Sequence, residues 1–291
     1  MVPDARRGLI LGAASIAALA IYPVKGCRGI ALTSARVLAT GLEWDRQWMI
    51  VDASGRFVTQ RTRPVLATIS ATLGDGTLRL SREGERSCEI PLALTRAPRR
   101  VVVWGDTCEA LDEGEDAAAW LSRSIGEPVR LVRATPEMRH ANPRWAGGVP
   151  APVGFADGFP VLVTSIASLD WINGRLPAPV PMDRFRPNIV LDGLEAFGED
   201  HVDALDVGAV RLRLVKPCTR CLVPSLDQLT GERGLDPVEI LRATRFDREL
   251  KGITFGENAV VETGGVISLG AGVRLISSSR PGGRRPSPPP A

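Results

Sequence analysis

The sequence predicts a mostly β protein of the α+β class. Three observations predict it. Short strand-like runs broken by turn residues fill the first third of the chain. Helical spacing appears in only a few isolated stretches. The segment from Thr135 to Pro152, rich in Arg, Pro and Gly, separates two patterned halves as a linker or mobile loop would. A length of 291 residues suits two modest domains or one large β-rich one.

Taken in order, an apolar run from Gly8 to Tyr22 follows Arg6-Arg7. It is short for a membrane span, so no stable span is expected. Ala18-Leu19-Ala20 has the form of a signal-peptidase site, but cleavage there would remove most of a strand expected over Ser15 to Val24. Trp48 to Val51 and Arg56 to Gln60 flank Asp52-Ala53-Ser54-Gly55 and read as a hairpin. Ala71 to Leu73 and Thr77 to Leu80, around Gly74-Asp75-Gly76, read as a second one. Cys88 to Leu92 and Arg100 to Trp104 add short strands. Glu115 to Ser124 places Ala118, Trp120 and Leu121 at helical spacing, and Val129 to Val132 returns to strand.

In the second half, Phe159 to Val163 is apolar, Ser165 to Leu176 reads as helix and Ile189 to Leu191 as a buried strand. Val210 to Leu214 alternates strictly, the mark of a half-buried strand. Asp236-Pro237-Val238-Glu239 combines an N-cap, a first-turn proline and a capping-box glutamate, so a helix is expected from there to about Arg245. Ala259 to Glu262, Val266 to Leu269 and Val273 to Ile276 read as closing strands. From Ser277 the chain is Ser, Pro, Gly and Arg, a composition that buries no core.

The net charge of +3 equals the contribution of Arg280, Arg284 and Arg285 in that tail. The body is neutral, so no nucleic-acid partner is expected. Five scattered cysteines argue against a secreted disulfide framework and for a reducing, cytoplasmic setting. With His140 and His201 as the only histidines, a zinc site of ordinary composition is hard to assemble.

Lys216-Pro217-Cys218-Thr219-Arg220-Cys221-Leu222 holds two of the five cysteines at the end of the alternating strand. A redox pair, half of a zinc knuckle, and a single ligating thiolate for a soft or high-valent metal are its three readings. The first prefers a helix N-terminus and the second needs another ligand pair, so the third suits the surroundings better.

Further runs carry a resemblance. Ile21-Tyr22-Pro23-Val24-Lys25-Gly26-Cys27, Trp44-Asp45-Arg46 and Phe57-Val58-Thr59-Gln60-Arg61 resemble the N-terminal β-domain of MOSC proteins. Phe185-Arg186-Pro187-Asn188-Ile189-Val190, the cysteine segment and Phe255-Gly256-Glu257-Asn258 resemble the MOSC domain, in matching order. The nearest branch is the amidoxime reducing components and their bacterial relatives. The resemblance implies an extension over 1–14, a MOSC N-terminal β-rich domain over 15–134, a MOSC β-barrel with a few helices over 135–277, and a disordered tail over 278–291.

It also implies a molybdenum cofactor, Mo-molybdopterin, in the cleft between the two parts. Cys221 would be the metal ligand and catalytic thiolate, with Cys218 either supporting that ligand from outside the metal's own contacts or structural. Lys25, Gly26, Arg46, Thr164, Ser165, Ile166, Arg186, Asn188, Thr219, Arg220 and Asn258 would hold the cofactor. Gly26 stands where relatives often carry serine. Taken without the resemblance, Arg46 is equally a surface ion pair, Arg186 a loop cap, Thr164-Ser165 a helix cap and Lys25 a turn lysine. The implied reaction is reduction of small N-hydroxylated or N-oxygenated compounds, with electrons from a separate iron–sulfur protein or a haem protein with its reductase. A cofactor carrier or sulfur-handling protein, with Cys221 as a persulfide or cofactor-holding thiol, is the alternative. No pyridoxal-phosphate domain accompanies it.

Overall fold

The computed structural model describes residues 9–93, 96–135, 139–148 and 150–277. The expected tail over 278–291, and residues 1–8 of the expected extension, lie outside the described residues.

Seven strands close a barrel. Around it run Val161–Ser165, Ile189–Asp192, Leu9–Ile21, Gly272–Ser277, Ala204–Val207, Val210–Thr219 and Gly252–Thr263, and the last pairs back onto the first. All neighbours are antiparallel except Val161–Ser165 and Ile189–Asp192. Ile16, Leu19, Ile189, Leu191, Leu205, Leu212 and Leu275 fill the interior. Closure leaves this sheet no free edge.

The first strand begins before the expected Ser15 and ends before Val24. It lies in the barrel between strands from the second half of the chain. Pro23, with no N–H to donate, stands just past its end. The chain then crosses to the other half, where Val24 bridges Trp48.

That half holds a four-stranded sheet in the order Trp48–Asp52, Val129–Ala134, Asp106–Asp112, Pro98–Val103, and a three-stranded one of Ser70–Gly74, Thr77–Ser81 and Cys88–Pro91. The helix Glu115–Ile125 covers them with Ala117, Trp120 and Leu121, against Trp48, Leu66, Leu78 and Leu131. The hairpin expected at Gly74-Asp75-Gly76 is present. Gly74 pairs with Thr77, and Asp75 and Gly76 take φ of +49° and +69°, the left-handed pair that a type I′ turn requires.

The other expected hairpin is half formed. Asp52 Oδ1 accepts from the backbone N–H of Ser54 and Arg56, and the second arm holds only the isolated bridges Val51–Phe57 and Arg56–Val102. The helix Pro237–Arg242 is capped by Asp236 as expected. It stops short of Arg245, which is buried in an ion pair with Asp200 at 2.5 Å. Ile166–Asn173 likewise ends before Leu176. The segment expected as a linker or mobile loop contains the helix Pro143–Ala146 and the paired strands Arg139–His140 and Pro152–Val153. Among the described residues, no helix is long and apolar enough to cross a membrane.

Candidate functional site

A cavity of about 350 Å³ opens between the two halves. Nine of the residues expected at the site line it: Lys25, Gly26, Arg46, Arg186, Asn188, Thr219, Arg220, Cys221 and Asn258.

Each is delivered by a specific local device. Lys25 donates its backbone N–H to Trp48 O at 2.7 Å, which fixes the chain as it leaves the barrel. Gly26 follows at φ +83°, where a Cβ would sit 3.1 Å from Leu66 Cδ1. Asn188 ties three segments together. Its Oδ1 accepts from Leu162 N at 3.1 Å and from Arg46 Nη1 at 3.2 Å, and its Nδ2 donates to Ala20 O at 3.2 Å. Arg46 donates further to Asp45 Oδ2 at 2.6 Å and to Arg186 O at 3.0 Å. The amide of Asn188 and the Nη atoms of Arg46 therefore brace the site from within.

Arg46 and Arg186 both adopt left-handed backbone, at φ +46° and +56°. Non-glycine residues enter this region at a cost, and such strain clusters at functional sites. Their guanidinium carbons lie 4.4 Å and 4.2 Å from the centre of the Tyr22 ring. Burial pushes the Tyr22 phenol up to about 12, so the ring stays neutral beside two cations. Burial, then the like charge of Arg46, pulls the pKa of Arg186 down. Arg186 Nη1 donates to Gln228 Oε1 at 3.2 Å, while its Nη2 is buried with no hydrogen-bond partner.

The cysteine segment ends the strand Val210–Thr219, whose pairing with Gly252–Thr263 is interrupted near Pro217. A proline inside a sheet needs such an irregularity. Arg220 N donates to Ile253 O at 2.8 Å. Its side chain spans from Phe185 O at 2.7 Å to Cys218 Sγ at 3.1 Å, with Nε buried and unpartnered. Cys221 is exposed at the cavity and Cys218 half-buried, so the two thiols are not equivalent.

Three expected residues lie elsewhere. Thr164 is buried with its hydroxyl 3.4 Å from Met182 Sδ, and Ile166 is partly exposed away from the cavity lining. Ser165 Oγ accepts from Ser168 N at 3.2 Å as a helix cap and lies 2.8 Å from Glu199 Oε2. Of the two roles open to Ser165 in the sequence, the cap is the one its contacts serve.

Further residues of the resembling runs, Phe57, Gln60 and Arg61, also line the cavity, with Trp104 and Asp157 beside them. Lys25 Nζ donates to Phe155 O at 2.8 Å and to Asp157 Oδ1. Desolvation pulls the pKa of Lys25 down and Asp157 offsets part of this. Desolvation also opposes the charge of Asp157, but the Lys25 ammonium outweighs it and holds the carboxyl down at about 2. The Asp157 side chain is 75% exposed while that of Lys25 is 10% exposed, so the carboxylate is a wall of the cavity and the ammonium lies behind it. Gln60 Nε2 reaches Gly26 O at 2.7 Å and Gln228 Oε1 at 2.9 Å. Trp104, Phe57 and Arg61 complete one side.

Residues 13–128 match the MOSC N-terminal beta barrel domain and residues 150–274 match the MOSC domain. The chain belongs to the MOSC family. It is 35% identical to the Homo sapiens mitochondrial amidoxime-reducing component 1, over 94% of this chain and 86% of the relative. The Bos taurus mitochondrial amidoxime reducing component 2 is 32% identical over 83% of this chain and 75% of the relative. The Danio rerio molybdenum cofactor sulfurase is 29% identical over 89% of this chain but only 33% of that protein. The MOSC match spans both walls of the cavity, so the site is built from two segments of one family architecture.

Proposed function

We propose that this MOSC protein is a molybdenum-cofactor-dependent oxidoreductase that reduces N-hydroxylated or N-oxygenated compounds. The observation that carries the reading is the pair of buried, unpartnered guanidinium nitrogens, Arg186 Nη2 and Arg220 Nε, in residues lining the cavity that also presents the exposed Cys221 thiol. Buried donors without partners are costly, and an anionic ligand is the group that would satisfy them. Among the described residues, no three His, Cys, Asp or Glu side chains converge as a metal cluster. A lone thiolate instead suits a metal that arrives with other ligands of its own.

In this reading Arg186, Arg220 and the third donor of Lys25 hold the anionic parts of the cofactor, and Cys221 supplies a protein sulfur to the metal. Arg46 and Asn188 keep Arg186 in place. The bound cofactor supplies the two-electron redox centre. Reduction of an N–OH group to N–H consumes two electrons and two protons and releases water, so a separate electron-donor protein is required. We place the protein in the cytoplasm, in keeping with five free cysteines.

A second reading, a cofactor carrier or sulfur-handling protein, is favoured by the exposure of Cys221 and by the likeness to a sulfurase. The test is metal content and pterin release on purified protein beside Cys221→Ala, with dithionite-driven reduction of an amidoxime. Molybdenum near one per chain, with turnover lost in the variant, supports the reductase. Metal and pterin without turnover on any N-hydroxylated compound would favour the carrier. Absence of both groups in protein from a cofactor-making host would overturn both readings.

A further inference from the structure

The tip of one hairpin carries an irregularity that the cofactor reading leaves unused. Val103 pairs with Asp106, so Trp104 and Gly105 form a two-residue turn. Trp104 takes φ +55°, whereas Gly105 is not among the glycines of positive φ. Positive φ at the first position alone is the pattern for which a hairpin prefers glycine. A bulky residue there is a genuine outlier, and its side chain lines the cavity.

The indole is held on several sides. Phe57 packs against it at 4.9 Å between ring centres, and the Arg61 guanidinium carbon lies 4.6 Å from its centre. Its Nε1 donates to Asp157 Oδ1 at 3.3 Å, across to the other half of the protein. Asp106, two residues on, anchors Arg139 at 2.9 Å, and Arg139 Nη1 donates to Gly154 O and Ala156 O. The hairpin tip and the segment before Asp157 therefore brace each other. Trp104 nevertheless remains 44% exposed, whereas the braced donors Lys25 and Asn188 are buried.

We propose that Trp104, stiffened by Arg61 and Phe57, is a substrate-contacting wall that selects planar N-hydroxylated compounds, such as aromatic amidoximes, over small aliphatic hydroxylamines. This deepens the reductase reading and rests on it. The unpartnered anion-holding donors are buried, while Trp104 and Cys221 are both exposed at the opening, where an exchanging ligand meets the protein. A flat ring gains by stacking on the indole, and a compound without a ring gains nothing there.

The test compares wild type with Trp104→Gly and Trp104→Phe, each loaded with cofactor. Glycine removes the ring and suits the turn, so the fold should survive, as a melting curve will show. In Trp104→Gly, KM for benzamidoxime should rise about 3- to 10-fold, from ordinary stacking magnitudes. KM for N-methylhydroxylamine and the pterin content should stay unchanged, and Trp104→Phe should recover most of the benzamidoxime loss. Equal KM changes for both substrates, or no change, would overturn the proposal. Loss of pterin from Trp104→Gly would assign the wall to the cofactor and equally overturn it. Quenching of Trp fluorescence by benzamide, compared in wild type and Trp104→Gly, gives a readout independent of turnover. Quenching that depends on Trp104 would uphold the wall even if the reductase reading failed, and quenching unchanged by its removal would overturn it.

Discussion

Replacing Glu199 with glutamine should flatten the pH dependence of stability between 4.5 and about 7. Glu199 is fully buried behind the Ser165 helix cap. Burial first, then the like charge of Asp200, pushes its carboxyl up to about 7. The hydroxyls of Ser165 and Ser168, each 2.8 Å from Oε2, favour the ionised form and limit the rise. Asp200, whose charge adds to this rise, is paired with Arg245 at 2.5 Å.

The sign follows from where the protons are. Below pH 4.5 Glu199 is protonated in both folded and unfolded chains. As pH rises, the unfolded chain releases the proton while the folded one keeps it, so stability falls by about 1.4 kcal/mol per pH unit. Above about 7 both states are ionised and the loss levels off at about 3 kcal/mol. Urea denaturation of wild type and Glu199→Gln at about pH 5 and about pH 8 reads this difference. On going from the lower to the higher pH, the variant should gain about 2 to 3 kcal/mol relative to wild type. A gap between the two proteins that stays constant within about 0.5 kcal/mol would refute the reasoning.

Two further substitutions test the assignment of roles. Ser165→Ala removes a helix cap and a partner of Glu199, and should lower stability by about 1 to 2 kcal/mol in denaturant melts. Pterin content should be unchanged, since Ser165 does not line the cavity. Asp157→Asn removes the counter-charge of the Lys25 ammonium and leaves it neutral acceptors, the amide oxygen and Phe155 O. Because the Asp157 side chain is mostly exposed, the stability loss should be about 1 kcal/mol rather than the 3 to 5 of a fully buried pair. The larger effect should be faster loss of pterin during gel filtration, as the position of Lys25 relaxes.

Much of this was legible where chemistry is local. Asp236 announces its helix, Asp75-Gly76 its turn, and the alternation of Val210 to Leu214 its strand, because caps, left-handed pairs and half-buried faces are properties of neighbouring residues. Strands buried on both faces gave less warning. Ala204–Val207 is buried at all four positions, so its sequence shows no alternation. Asp106–Asp112 carries charged residues whose partners, such as Arg99 and Arg130 around Asp112, come from other strands. Membership of the first strand in the far barrel is set by register with Ile189–Asp192 and Gly272–Ser277, and no local rule encodes it. The site divides in the same way. Motif register brought nine expected residues to one cavity, whereas Trp104 joins it only through contacts between distant segments. Thr164-Ser165 shows the converse, since a helix cap and a ligand-binding loop use the same residue types.

The cavity is over-supplied with positive charge for a protein whose body is neutral. Lys25, Arg46, Arg61, Arg186 and Arg220 line it; Asp157, bound to Lys25, is the carboxylate among the lining residues, and Asp45, outside the lining, is bound to Arg46. Arg186 and Arg220 meet neutral groups instead: a glutamine oxygen, a carbonyl and a thiol sulfur. Gly26, Arg46 and Arg186, from separate segments, all hold positive φ. For the two arginines this strain costs about 1 to 3 kcal/mol each. A fold optimised for stability alone would relax these turns and pair or exchange the guanidinium groups. In the proposed reading a bound anion offsets the strain, the cations beside Tyr22 and the unpartnered donors in this cavity, and the cleft would be a holding site organised in advance of its ligand.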